Sequence, residues 1–224
     1  MKMKNKILCC ILHTEKQPEQ YEAIKKTWGT RIDHMYYSDH EDASKNIVKV
    51  SDRSDYKSCV EKNAKVFKVL VNDCRYNDYD YYFFVDNDTY VNETKLRSSI
   101  EKGEFSEDKI YGATWRDKNG GNWLMGGAGF LMNRKVLKKF EDCEIIETAK
   151  YSDVNVQNHA FRNGVVIVHH SNFNTGKPKK WHKWNIHEQY TFHYIRGIDP
   201  MVQLDNTIRD SLSSSKIRIQ EEYK

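Results

Sequence analysis

The sequence predicts an α/β fold in which a mixed, mostly parallel sheet is flanked by helices. Three observations predict it. Short apolar runs alternate with amphipathic stretches, the pattern of strands joined by crossover helices. One stretch, from about Tyr56 to Cys74, carries Val60, Ala64, Phe67, Val71 and Cys74 at three- and four-residue intervals, a single apolar stripe at the helical period. The length also fits: 224 residues, 38% of them hydrophobic, fill one α/β core and fall short of two domains of ordinary size.

In chain order the strand candidates are Lys6–His13, Ile32–Tyr37, Asn46–Val50, Tyr81–Val85, Lys109–Thr114, Gly127–Met132 and Val165–His169. Each is a short apolar run bounded by polar or turn residues. Between the first two, Pro18 to Trp28 reads as a helix begun by proline at its first position and stopped by Gly29. Glu93–Glu101 follows Asn92 as a cap, Arg134–Phe140 follows Asn133, and Ser152–Phe161 opens on Ser-Asp. No period holds from Ser171 to Tyr190, which reads as a long loop of the kind that carries function. The segment after Asp205 is polar and reads as peripheral.

Composition excludes several classes. A chain with 14 Tyr, 9 Phe and 5 Trp spread along it is not disordered, and no fixed repeat recurs. Mean hydropathy is −0.83. The apolar run Ile7-Leu8-Cys9-Cys10-Ile11-Leu12 is far shorter than the roughly 20 residues that cross a bilayer. It follows Lys2, Lys4 and Lys6 like the start of a signal peptide, but no small-residue cleavage site follows, so it reads as a first strand. The 36 Lys and Arg against 32 Asp and Glu leave a net charge of +4, interspersed rather than striped, which argues against a nucleic-acid partner. The one basic cluster, Lys177-Pro178-Lys179-Lys180, is either a solvated loop or a phosphate contact. Five cysteines, Cys9, Cys10, Cys59, Cys74 and Cys143, make an odd number without a CxxC pair, which suits a reducing compartment better than a zinc site or a disulfide framework. N-x-T sequons stand at Asn87 and Asn92, the first inside the sharpest motif of the chain.

That motif is Tyr81-Tyr82-Phe83-Phe84-Val85-Asp86-Asn87-Asp88-Thr89-Tyr90-Val91. A buried strand delivers two carboxylates, one residue apart, to its carboxyl end, where open α/β sheets place their ligands. Alternation along an extended chain aims Asp86 and Asp88 to the same side. Such a pair either ends the strand as a turn or holds a hard cation, for which carboxylates suit Mg²⁺ or Mn²⁺ better than zinc.

The segment Phe83 to Val91 resembles the (D/A)DDTYV signature of glycosyltransferase family 31, the family of the Fringe proteins and the core 1 β1,3-galactosyltransferases. Five other pieces are similar in the same order: Ala23 to Gly29, Lys62 to Phe67, Gly126-Gly127-Ala128-Gly129-Phe130, Asp153-Val154 and Thr191-Phe192-His193-Tyr194. The resemblance spans roughly residues 21 to 195 and implies a GT-A type nucleotide-diphospho-sugar transferase fold. It also implies an inverting transfer of a hexose, galactose or N-acetylglucosamine, from a UDP-sugar to a glycan, glycopeptide or small-molecule acceptor through a β1,3 linkage. Asp88 and His193 would hold Mn²⁺ or Mg²⁺. Asp153 would be the general base. Asp86, Asn87, Lys62, Gly126, Gly127, Ala128 and Gly129 would line the donor.

Each role also has a chemical reading of its own. A departing diphosphate gains negative charge that a divalent cation stabilises. An acceptor hydroxyl needs a nearby base, and a carboxylate near a helix start, as at Asp153, is either that base or a first-turn residue complementing the helix dipole. His193 beside aromatic residues is otherwise a packed core histidine, and Lys62 otherwise a solvent-facing lysine. Missing Cβ atoms in the glycine-rich segment permit a close approach, of a ligand or within a bulge. Trp123, Trp181 and Trp184 offer amphipathic faces for an acceptor sugar. Ser152 and Gln157 depart from the family pattern around Asp153, and the cysteine pair usual near the terminal element is missing. Two other classes stay open: a catalytically degenerate carbohydrate-binding or chaperone-like module of the same fold, and a metal-dependent phosphoesterase or nuclease. The expected organisation is one catalytic domain over residues 1–205 and a polar tail over 206–224. The expected location is cytoplasmic for a complete chain and the secretory lumen for an excised catalytic domain.

Overall fold

The structure, a computed structural model, describes residues 5–116, 118, 122–146 and 149–222, with backbone only for 183, 184 and 215–222. The elements in chain order begin with β1 (Ile7–Leu12), α1 (Pro18–Lys25), β2 (His34–Ser38), β3 (Ile47–Lys49), α2 (Ser58–Asn72), β4 (Tyr81–Asp86), β5 (Tyr90–Val91) and α3 (Glu93–Glu101). There follow β6 (Ile110–Gly112), β7 (Thr114–Arg116), β8 (Asn122–Leu124), β9 (Phe130–Asn133), α4 (Arg134–Lys138), α5 (Ser152–Arg162), β10 (Ile167–His169), β11 (Phe173–Asn174), β12 (Thr191–Phe192) and α6 (Ile198–Glu222). All seven expected strands form: β1, β3, β6 and β10 are shorter than expected, β2 and β9 start two and three residues later and end one residue later, and β4 runs one residue further, to Asp86.

Those seven make one sheet in the order β10-β6-β9-β4-β1-β2-β3. Every pairing is parallel except those of β9, which runs antiparallel to both β4 and β6. Side chains alternate across a strand, and in β1 that period splits the core in two. Ile7, Cys9 and Ile11 pack with Ala23 and Ile24 of α1, Leu96 and Ile100 of α3, and Met201 and Leu204 of α6. Leu8 and Cys10 pack with Val66, Phe67 and Leu70 of α2, Val136 and Leu137 of α4, and Val156 and Ala160 of α5. Helices on both faces explain why β1 and β4 read as continuous apolar runs. The five cysteines are all free thiols.

Several elements differ from expectation, for local reasons. Helix α1 ends at Lys25, not Trp28: the Thr27 hydroxyl donates to the Ala23 carbonyl at 2.7 Å, and the chain tightens into a 3₁₀ turn that buries Trp28. Gly29 serves close packing there, because a Cβ would lie 2.7 Å from Ile24 Cγ2. In α2 the buried stripe is Val60, Ala64, Phe67 with Val66 and Leu70, whereas Val71 is half-buried and Cys74 lies beyond the helix end, exposed. The stretch from Ser171 to Tyr190 contains only β11 and two 3₁₀ turns, as its lack of a period implied.

The segment after Asp205, expected to be a polar, peripheral tail, continues α6, which runs unbroken across that position. Met201, Leu204 and Ile208 recur at three and four residues and are buried in the core shared with α1. Asp205 is itself buried. Arg31, just after α1, bonds Asp205 Oδ1 through Nη2 at 2.5 Å and Glu93 Oε1 through Nε at 2.7 Å, and Tyr90 donates its hydroxyl to Asp205 at 2.9 Å. One guanidinium thus ties α1, α3, β5 and α6 together. Among the described residues no helix is long and apolar enough to cross a membrane.

Removing one partner from such a network strands the others' charges. Arg31→Met is expected to lower stability by about 2–3 kcal/mol, below the fully buried range because Arg31 is partly exposed. Urea unfolding measures it. A loss under about 0.5 kcal/mol, the level of an ordinary surface substitution, would show the network to be idle.

Candidate active site

The acidic motif sits where β4 stops. Strand β4 ends on Asp86, and Thr89 N–H donates to the Asp86 carbonyl at 3.1 Å, closing a β-turn over Asp86-Asn87-Asp88-Thr89. Asp86 and Asp88 do face one direction, but a turn achieves it rather than the alternation of an extended strand. Asn87 donates to Gln17 Oε1 at 3.0 Å, and both line the same cleft as Asp86 and Asp88. Neither sequon asparagine is open to modification. Asn87 is buried, and Asn92 is buried as the cap of α3, accepting from Lys95 N–H and donating to the His187 and Gln189 carbonyls.

His193 reaches this turn through a second, three-stranded sheet of order β11-β12-β5. β12 pairs antiparallel with β5, Phe192 opposite Tyr90 and Thr191 opposite Val91, and Ile195 N–H donates to the Asp88 carbonyl at 2.8 Å. That register sets His193 beside Asp88. Its Nε2 lies 3.0 Å from Asp88 Oδ1 and 3.6 Å from Asp86 Oδ2. The three ligand atoms fall within 4.8 Å of one another, so Asp86, Asp88 and His193 could hold one metal ion. Two carboxylates with one imidazole suit a hard to borderline divalent cation.

The glycine-rich segment is what allows this convergence. A Cβ on Gly127 would lie 2.1 Å from His193 Cε1, and one on Gly126 would lie 3.0 Å from Asp153 Cβ. Gly129 adopts φ +85° and lies against Phe83 and Val85 of β4. Thr89 Oγ1 donates to the Gly127 carbonyl at 2.8 Å and Thr191 Oγ1 to that of Ala128 at 2.6 Å, so the acidic turn and β12 grip the segment from two sides. The close approach that the glycines permit is to His193 and Asp153.

Asp153, in the first turn of α5, accepts the Gly126 N–H on Oδ2 at 3.0 Å and the Val154 N–H on Oδ1 at 2.9 Å. Burial raises its pKa above the usual carboxylate range, the two N–H donors pull against that, and the charge of Asp86 adds to the rise. For Asp88 burial pulls upward but is overcome by His193 and then Arg196, leaving its pKa lowered. Burial alone would lower His193; hydrogen bonds and charge from Asp86 and Asp88 reverse this and raise it to about 9.

Two clefts meet at this centre. The smaller, about 280 Å³, is lined by His13, Thr14, Lys62, Asp86, Asp88 and Arg196 among others. The larger, about 470 Å³, holds Asp153 beneath Tyr56, Trp115, Trp123, Tyr151 and Tyr194. Tyr56, Asp86, His193 and Tyr194 line both. Lys62 is not solvent-facing: it is buried, donates to the His13 carbonyl at 3.0 Å and pairs with Asp39 at 3.6 Å. Burial lowers its pKa and Asp39 opposes that. Trp123 lies opposite Trp115 across β7 and β8 at the mouth of the larger cleft. Trp181 is exposed, lies against Lys179 and His182, and lines neither cleft. The side chain of Trp184 lies outside the described residues. Sequence reasoning missed Arg196, whose Nε donates to Asp88 Oδ2 at 3.0 Å, and Tyr194, which stacks on the His193 ring at 3.8 Å. The signal was available: both follow His193 within three residues. Tyr194 holds φ +62°, a left-handed conformation costly for an aromatic residue.

No protein-family model matches the chain. Among solved structures, it is similar to the crystal structure of a glycosyltransferase involved in the glycosylation of the major capsid of PBCV-1, at 13% identity and a TM-score of 0.51, over 90% of this chain and 98% of that one. It is also similar to A197 from STIV, at 12% identity and a TM-score of 0.39, over 69% of this chain and 78% of that one. The first likeness, with the seven-stranded, mostly parallel sheet between helices, gives the chain a glycosyltransferase fold, as the α/β expectation required.

A cation that takes His193 Nε2 must displace a proton held with a pKa of about 9. The sign follows: at pH 7.5 the imidazole is protonated, metal needs it neutral, and Mn²⁺ binding is expected to release about one proton per ion. Calorimetry in buffers of different ionisation enthalpy reads it. Zero release would exclude His193 as a ligand.

Proposed function

We propose that the protein is an inverting, metal-dependent glycosyltransferase that moves a hexose from a UDP-sugar to a sugar or hydroxyl acceptor. One observation carries the reading: a carboxylate with a raised pKa, Asp153, stands in one cleft, and a candidate cation triad, Asp86, Asp88 and His193, lines a second cleft that shares Asp86 and His193 with the first. The smaller cleft suits the nucleotide diphosphate, with Asp88 and His193 at its floor. The larger suits the acceptor, because aromatic faces pack against the C–H faces of sugars and Trp115 and Trp123 present such faces beside Asp153.

In this reading the chain's own groups do the following. Asp153 accepts the proton of the acceptor hydroxyl as that oxygen bonds to the anomeric carbon from the side opposite the diphosphate. The bond from the anomeric carbon to the diphosphate oxygen breaks, and its electron pair leaves with the diphosphate. The configuration therefore inverts, from an α-linked donor to a β product. The Gly126 N–H holds Asp153 Oδ2 in place. Asp88, His193 and Asp86 would hold a divalent cation, which would supply Lewis-acid stabilisation of the leaving diphosphate. The ordered resemblance to the motifs of family 31 supports a β1,3 linkage and a galactose or N-acetylglucosamine donor, with Mn²⁺ as the metal.

The test is a panel of UDP-sugars with Mn²⁺, assayed for binding and turnover. At least one donor is expected to turn over. Asp153→Asn should reduce that rate by about 100-fold or more, as for loss of a general base, while UDP affinity stays within a factor of about three. The rate of wild type should fall as pH drops through the pKa of Asp153, which lies above that of an exposed carboxylate. Binding of no donor would overturn the proposal, and equal rates for Asp153→Asn and wild type would remove Asp153 as the base.

A further inference from the structure

Arg196 occupies an unusual position for a cleft arginine. Its backbone is fixed on both sides: Ile195, buried, donates its N–H to the Asp88 carbonyl at 2.8 Å, and Gly197, at φ +87°, donates its N–H to Gln20 Oε1 at 2.7 Å. The side chain, by contrast, is 70% exposed. It engages Asp88 only through Nε, at 3.0 Å, and lies alongside the Tyr194 ring with Cζ 5.5 Å from the centroid. Among the described residues the two terminal guanidinium nitrogens have no hydrogen-bond partner, although they border the smaller cleft. A rigidly mounted arginine therefore rests on a candidate metal ligand with its fork unused.

Electrostatics says what such an arm does. Asp88 accepts from His193 on one oxygen and from Arg196 on the other. A divalent cation at Asp88 brings two positive charges next to the guanidinium, and that contact becomes repulsive. The fork of an arginine matches the paired oxygens of a phosphate, and charge-assisted bonds to it are about twice as strong as neutral ones. The lysine lining this cleft, Lys62, is already paired with Asp39.

We propose that Arg196 is a two-position arm: it latches onto Asp88 in the ion-free protein and, when metal and nucleotide enter together, moves to the diphosphate and binds it. The proposal rests on the nucleotide-sugar reading above and adds to it an order of events. Arg196 competes with the cation for Asp88, so metal alone binds weakly, and the diphosphate removes the competitor. Metal and nucleotide then bind cooperatively, each strengthening the other by the same factor.

The test uses the full chain, with Mn²⁺ alone and UDP as probes, comparing wild type, Arg196→Gln and Arg196→Lys. Removing the latch in Arg196→Gln should tighten Mn²⁺ binding in the absence of nucleotide by about threefold or more, since a competing cation on Asp88 is gone. The same variant should lose about tenfold in UDP affinity at saturating Mn²⁺. Arg196→Lys, a point charge without the fork, should keep the weak Mn²⁺ binding of wild type and recover only part of the UDP affinity. Paramagnetic resonance of free Mn²⁺ and calorimetry of UDP give both readings without turnover. If wild type binds Mn²⁺ but no UDP, the nucleotide-sugar reading fails and the arm with it. If wild type binds both and Arg196→Gln matches it in both affinities, the arm alone is overturned.

Discussion

The whole candidate site depends on one steric constraint: the imidazole of His193 lies where a side chain at position 127 would begin. With 2.1 Å between its Cε1 and the ideal Cβ of Gly127, only glycine lets the β12 end of the chain drop onto the acidic turn. Everything else in the centre serves that approach. Thr89 and Thr191 anchor the carbonyls of Gly127 and Ala128, the β5–β12 register aligns the ring with Asp88, and the neighbouring Gly126 turns its N–H to Asp153. A single four-residue turn thus couples the metal ligands to the candidate base.

That coupling also explains the electrostatic division of the site. Asp88 and His193 hold each other's charged forms, lowering one pKa and raising the other, which leaves the pair ready to exchange a proton for a cation. Asp153, in the larger cleft, is shifted by burial the opposite way from Asp88. Two carboxylates whose environments push their pKa values apart are suited to different tasks, one to ligation and one to accepting a proton.

How much of this the sequence contained follows from the range of each interaction. The strands and α3 were legible because apolar runs and a cap at Asn92 are local signals. The acidic pair was legible from its own strand end, as a turn or a cation site, whereas His193 was tied to it only through the ordered resemblance; nothing local pairs them, and their meeting is a product of antiparallel register between β5 and β12. The glycines were recognised as sites of close approach, but what approaches them is this protein's own His193 and Asp153. Helix α6 was missed because its three apolar contacts, Met201, Leu204 and Ile208, are diluted by polar neighbours, and because the ion network that holds Asp205 is assembled from residues far apart in sequence. Trp181, read as a sugar platform, lines neither cleft, and Trp115 and Tyr194 do line the larger one. An aromatic residue's type is visible in a sequence, whereas the side of the fold it occupies is not.

The central claim is that Asp88 and His193, brought together over Gly127, form a cation centre. Anomalous diffraction at the manganese edge from crystals grown with Mn²⁺ and UDP tests it most directly. The account predicts one peak within coordination distance of both the Asp88 carboxylate and His193 Nε2, with the diphosphate on its cleft side. A peak elsewhere, or none, with His193 still hydrogen-bonded to Asp88 in the presence of both ligands, would contradict it.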